Sequence, residues 1–124
     1  GDVYAQIICY AHTPKDQLRL SCNLRGIKRL QILTPDKEPN IDRDIPGPVG
    51  FIRLHGEGQE LRLLERCGAQ LAAYRPALII SAYYGYDAVF EITERLLRIN
   101  PSYRIYLRYL GHTPVASDYY IIAV

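Results

Sequence analysis

The stretch Ala77-Leu78-Ile79-Ile80-Ser81-Ala82-Tyr83-Tyr84 is nearly all apolar. A run of that length without polar alternation reads as a strand buried on both faces, the habit of a parallel sheet. Parallel strands need crossover connections, so helices must flank it. Upstream, Gln59 to Tyr74 spaces Leu61, Leu64, Cys67 and Leu71 at helical intervals. Downstream, Asp87 stands as the N-cap of a helix running through Ile99. Val89, Phe90, Thr93, Leu96 and Leu97 form its inner side, and Asn100-Pro101 ends it. Phe51 to Leu54 reads as the preceding strand and His55 to Gly58 as its turn. Tyr103 to Leu110 and Tyr119 to Val124 are two further strands. The segment Gly111 to Asp118 between them is too short for a crossover helix, so they run antiparallel if they share the sheet.

The N-terminal third continues the strand and helix alternation. Val3 to Ala11 is a strand-length apolar run. Thr13 is placed as an N-cap, Pro14 at the first helical position and Asp16 in the first turn. Leu20, Leu24 and Ile27 recur at helical spacing, and Gly26 can close a helix expected over Pro14 to Arg25. Leu30 to Leu33 is a short strand. Thr34 to Pro48, with Pro35, Pro39, Pro46 and Pro48, is expected to be a loop or linker. The whole is one α/β domain, residues 1–124, with strands and helices alternating.

Composition narrows the function by exclusion. At 48% hydrophobic and 23% charged residues the chain has a globular composition, with no apolar run near the length of a membrane span. Fifteen basic and thirteen acidic residues leave a net charge of +2, too little to imply nucleic acid or an anionic membrane. The three cysteines, Cys9, Cys22 and Cys67, include no C-x-x-C pair, and with no visible signal peptide they point to the cytoplasm. Three histidines scattered among them give no metal-ligand spacing. There is no Walker sequence and no G-x-S-x-G elbow. The chain has no methionine and opens on Gly1-Asp2, which reads as a processed, excised or engineered start.

Four ordered motifs carry a family resemblance. Phe51-Ile52-Arg53-Leu54-His55-Gly56-Glu57-Gly58-Gln59-Glu60-Leu61 resembles the pattern F-I-K-[IM]-D-x-E-G-x-E-L of FkbM-type S-adenosylmethionine-dependent methyltransferases, with His55 in place of the aspartate. Tyr74-Arg75-Pro76-Ala77-Leu78-Ile79-Ile80 is similar to Y-K-P-x-L-x-I. Asn100-Pro101-Ser102-Tyr103-Arg104-Ile105-Tyr106-Leu107-Arg108 is similar to N-P-x-Y-x-x-Y-L-R, and Tyr119 to Val124 to the closing apolar strand. Val3-Tyr4-Ala5, Thr13-Pro14 and Asn23-Leu24-Arg25-Gly26-Ile27 resemble the family's V-Y-A-F-E-P, its proline-initiated helix and N-x-x-L-N-G-L, with adjustments in spacing.

The resemblance implies a truncated, mostly parallel Rossmann-like methyltransferase sheet that ends in a C-terminal antiparallel strand pair, with helices on its faces. Residues 1–33 would be a degenerate first part, 34–48 a Pro-rich loop and 49–124 the family-like second part. It implies S-adenosylmethionine as cofactor, with Gln6, Glu57 and Gly58 as the contacts in this chain. Gln6 lies nearest the acidic position whose carboxylate would accept from the ribose hydroxyls. The family's glycine-rich cofactor loop has no counterpart here, because nothing like G-x-G-x-x-G occurs in the sequence. The chain is therefore expected to bind the cofactor weakly by itself.

Candidate residues gather where strands give way to helices, the ligand side of doubly wound sheets. His55 can act as a general base toward a substrate hydroxyl and Glu57 can orient substrate or cofactor. Equally, Glu57 can favour the following helix N-terminus and His55 can be an ordinary surface residue. Tyr83, Tyr84 and Tyr86 can stack on a planar ligand or a sugar, or simply edge the core. Arg104 and Arg108 point to one face, where Arg108 can bind a substrate carboxylate or phosphate or pair with a neighbouring acid. His112 in the last hairpin is a further substrate-side candidate. Two functions follow. One is a methyltransferase domain acting on a small-molecule acceptor. The other is a non-enzymatic interaction module, a remnant of the fold that dimerises through unpaired sheet edges or joins a partner chain.

Overall fold

The structure is a computed structural model and describes residues 7–10, 14–23, 25–26, 30–33, 39–56, 58–82, 87–109, 111 and 119–124. The chain forms two compact units, Gly1–Pro39 and Asn40–Val124. Among the described residues no helix is long and apolar enough to cross a membrane.

The first unit is a β-α-β element. Strand β1, Ile7–Tyr10, leads into helix α1, Pro14–Asn23, and then into strand β2, Leu30–Leu33. The two strands pair in parallel, with Ile7 opposite Leu30 and Tyr10 opposite Leu33. Gly26 follows α1 at φ +92, a left-handed conformation that glycine adopts without a Cβ penalty, as its closing role requires. Thr13, Leu24 and Ile27, and the ends of the expected first strand, lie outside the described residues.

The second unit begins with a helix inside the expected loop. Residues Ile41–Asp44 form the single turn α2. Asn40 caps it reciprocally: its Oδ1 accepts from the Arg43 amide at 2.9 Å, and its own N–H donates to Asp44 Oδ2 at 3.3 Å. Strand β3, Phe51–Leu54, follows as expected.

The long helix expected over 59–74 is two helices, α3 (Glu60–Glu65) and α4 (Gly68–Tyr74). The break is a tertiary effect. The α4 N-cap, Cys67, makes no side-chain cap bond, and Asp42 serves instead, accepting from the Ala69 and Gln70 amides at 2.9 and 3.0 Å. The Gln70 side chain, 6% exposed, bonds back to that same segment, accepting from the Val49 amide and donating to the Gly47 carbonyl. Residues 40–49 are thereby stitched to α4.

Strand β4 (Ala77–Ser81), helix α5 (Ala88–Ile99) and strands β5 (Ile105–Tyr109) and β6 (Tyr119–Ala123) complete the unit. The sheet order is β3-β4-β6-β5. β3 and β4 are parallel, while β6 runs antiparallel to both β4 and β5. One face of this sheet carries Ile52, Leu54, Leu78, Ile80, Ile121 and Ala123, all buried, against Leu64, Cys67 and Leu71 of the α3–α4 segment and Ile92 and Leu96 of α5.

The buried stripe of α5 is Ile92 and Leu96, supported by Ala88, Val89 and Ile99. Phe90, expected on the inner side, is 75% exposed, and Leu97 is 39% exposed. The helix sits rotated from the sequence reading because its i, i+4 row, and not the Phe90 row, meets α3 and α4. Asn100 closes α5 and ties it to α4, donating from Nδ2 to the Leu71 carbonyl at 2.9 Å while Oδ1 accepts from Ser102.

Candidate functional site

The parallel pair β3–β4 ends at Leu54 and Ser81, and the turn between β3 and α3 continues from the first of these ends. His55 is exposed in that turn. Gly58 takes φ +99, a left-handed backbone that favours glycine. Gly56 is favoured for a different reason. A Cβ built there would lie 2.8 Å from Leu63 Cδ1, 3.1 Å from the Gln59 carbonyl carbon and 3.2 Å from the Glu60 amide nitrogen, so any side chain there would make the Leu63 tip and the start of α3 shift.

Behind the turn lies Glu60, 4% exposed. Its Oε1 accepts from the Gly56 amide at 3.2 Å and from the Ser81 hydroxyl at 2.6 Å, and its Oε2 accepts from the Gly58 amide at 3.0 Å. Ser81 is itself 1% exposed. The ends of β3 and β4 are thus joined through one buried carboxylate. Neither Glu60 nor Ser81 stood out from the sequence as a site residue. The available signal was the pair of glycines at 56 and 58 preceding an acid at 60, since turn amides freed of side chains are natural partners for a carboxylate.

Of the residues expected at the site, the structure describes His55, Gly58 and Arg108. Glu57, Tyr83, Tyr84, Tyr86, His112 and Gln6 lie outside the described residues. Arg108 is exposed on β5. Ser81 pairs with Tyr120 and Tyr120 with Arg108, so Arg108 occupies the same transverse row as the end of β4, two strands over and roughly 10 Å away. Its guanidinium lies 5.2 Å from the centre of the Tyr106 ring and donates to the Leu107 carbonyl. Among the described residues no carboxylate pairs with it. No group of three or more histidine, cysteine, aspartate or glutamate residues is placed to hold a metal ion among the described residues.

Among the described residues of this unit two groups titrate abnormally, and both are structural. Burial pushes the Cys67 thiol up to about 12, helped by the Asp42 charge. Burial also pushes the Tyr103 phenol up to about 12, helped by Cys67 and opposed by Arg75. Both sit in the core away from the turn, so neither is poised for chemistry at neutral pH.

No protein-family model and no curated protein matches the sequence. Solved structures do match the fold. The FkbM methyltransferase of Methylobacillus flagellatus superposes with a TM-score of 0.79 over 96% of this chain, at 23% identity, and the match takes in 36% of that protein. The precorrin-6y C5,15-methyltransferase of Geobacter metallireducens gives 0.67 over 95% of this chain at 16% identity, covering 65% of its own length. The SAH-bound Podospora anserina methyltransferase PaMTH1 gives 0.57 over 96% at 11% identity, covering 60% of its length. The chain spans about a third of the Methylobacillus protein and less than two thirds of the other two. Over the 96% that superposes, the chain has an FkbM-like, Rossmann-type methyltransferase fold.

Proposed function

We propose that this chain provides the acceptor-side part of an S-adenosylmethionine-dependent methyltransferase working on a small-molecule acceptor in the cytoplasm. The observation that carries the reading is the β3–α3 turn. It stands at the carboxyl end of a parallel strand pair, where such sheets hold ligands, in a chain that superposes over 96% of its length on an FkbM methyltransferase.

Bound S-adenosylmethionine would supply an electrophilic methyl group. The residues present here do not make its cradle alone. The sequence has no glycine-rich cofactor loop, and the Gly58 amide donates inward to Glu60 instead of outward to a ligand. Gly58 therefore contributes a bare backbone surface, and Gln6 and Glu57 are the other cofactor contacts that the family resemblance implies. His55 takes the proton of an acceptor hydroxyl and Glu57 orients the acceptor. Tyr83, Tyr84 and Tyr86 are the residues suited to stack on it, and Arg108 and His112 those suited to meet a polar or anionic group.

Calorimetric titration with S-adenosylhomocysteine tests this, using the 124-residue chain and a form extended by any coding sequence preceding Gly1. Binding by the extended form alone is expected. Micromolar binding by the short chain would overturn the incomplete cradle, and no binding by either form would overturn the methyltransferase reading.

A second reading has its own support. β5 is an edge strand of its sheet, and it exposes Tyr106, Leu107 and Tyr109 at 39%, 45% and 39%. An edge so furnished suits a non-enzymatic module that pairs with another copy of itself. Light scattering after size exclusion should then give a dimer, and a monomer at every concentration refutes it.

A further inference from the structure

A carboxylate as buried as Glu60 is costly unless donors replace the water it has lost. Among the described residues no cation pairs with it. Its donors are two backbone amides and a hydroxyl, drawn from three places that the fold must keep in register: the residue after His55, the glycine at 58, and the end of β4. Charge-assisted bonds of this kind are short and directional. Removal of Glu60 would leave two turn amides without their acceptor, and the Ser81 hydroxyl with only its longer contact to the Leu54 carbonyl at 3.5 Å.

We infer that Glu60 is the positioning residue of the candidate site, a carboxylate clamp that holds the His55 turn in one conformation against the end of β4. The inference rests on the reading of these strand ends as the acceptor site. One consequence concerns ligand class. Amides at a strand-to-helix turn ordinarily attract phosphate. Here the Gly56 and Gly58 amides are already satisfied by an internal acid, so these two amides grip no anion. An acceptor at this turn is therefore not held by a phosphate on the Gly56 and Gly58 amides.

The test uses the full chain, uniformly labelled with nitrogen-15 and free of ligand. In Glu60→Gln, amide exchange at Gly56 and Gly58 should accelerate by about tenfold or more, in line with loss of a charge-assisted bond. The two amide protons should move upfield and the His55 ring resonances should broaden or split, while Ile80 and Ile121 in the central strands keep their exchange rates. If the glycine amides are unchanged, or quicken only in step with Ile80 and Ile121, Glu60 is a stabilising core residue and the inference falls. Should Glu60→Gln fail to fold, Ser81→Ala removes one donor and leaves the carboxylate in place. His55 resonances that do not move in that variant refute the clamp equally. Inorganic phosphate titrated into the native chain should leave the Gly56 and Gly58 amides unshifted, and a saturable shift at both would refute the consequence for ligand class. None of these readouts involves the cofactor, so failed binding of S-adenosylhomocysteine sinks the methyltransferase reading without touching the clamp.

Discussion

The Tyr103 hydroxyl donates to the Pro76 carbonyl at 2.7 Å, across 27 residues of sequence, in a place where Tyr103 is 4% exposed. Pro76 immediately precedes β4 and Tyr103 lies two residues before β5, so one bond secures the entries to two strands. Tyr103→Phe leaves a buried carbonyl without its donor and should cost about 1–3 kcal/mol. Urea unfolding followed by circular dichroism measures it, and an unchanged midpoint would mean that water replaces the phenol.

Alkaline pH should destabilise the second unit in a defined window. Cys67 and Tyr103 both keep their protons to about 12 in the folded protein, against ordinary values of 9.0 and 10.0. The folded state thus holds protons that the unfolded state has released. Their contribution is complete below pH 9 and falls away as pH rises toward 12, where the unfolded chain releases protons that the folded one keeps. Unfolding midpoints at successive pH values should decline there, and Tyr103→Phe should flatten the decline above pH 10.

Asp42 acts as a cap at a distance, since it accepts from the first amides of α4 while belonging to α2. Asp42→Ala should cost about 1 kcal/mol, the usual price of a lost N-cap. It should also lower the Cys67 thiol from about 12, because the Asp42 charge is one of the two causes of its elevation. Thiol titration and denaturant unfolding of the variant read the two effects separately.

Arg75 ends α4 at φ 45 and ψ 58, a left-handed conformation for a residue with a Cβ. Such a position costs roughly 1–2 kcal/mol relative to glycine before unfolded-state entropy is counted. Arg75→Gly should therefore raise the unfolding midpoint, by an amount worth up to about 1 kcal/mol. A lower midpoint would show that the arginine side chain contributes more than its backbone costs.

Much of the fold was legible because local periodicity and global packing agree. Phe51–Leu54 and Tyr119–Ala123 alternate between core and periphery, and the connection after β5 is too short for a helix, which forces the antiparallel pair. What escaped has tertiary causes. Leu61, Leu64, Cys67 and Leu71 keep helical spacing straight through the break at Arg66 and Cys67, so the sequence shows one helix where Asp42 makes two. The turn α2 is four residues long, below the reach of any periodicity, and hides among prolines. Phe90 and Leu97 are apolar but face outward because the neighbouring helices meet a different row. The motif around His55 and Gly58 falls on the turn between β3 and α3, where the sequence places a turn. The role of Glu60 could not be seen there, because its partner Ser81 lies 21 residues further on.

The strand order β3-β4-β6-β5 has a consequence for biosynthesis. β6, the latest of these strands to be translated, lies between β4 and β5, and both are paired with it. On the ribosome, β3 and β4 can join as soon as they emerge, but β5 has no described sheet neighbour to pair with until residues 119–123 have left the exit tunnel. Non-local pairing of that kind is slow and leaves strand edges exposed while it waits. The nascent chain should therefore acquire its four-stranded sheet in one late step, with the apolar edge of β4 unpaired on its β6 side until then.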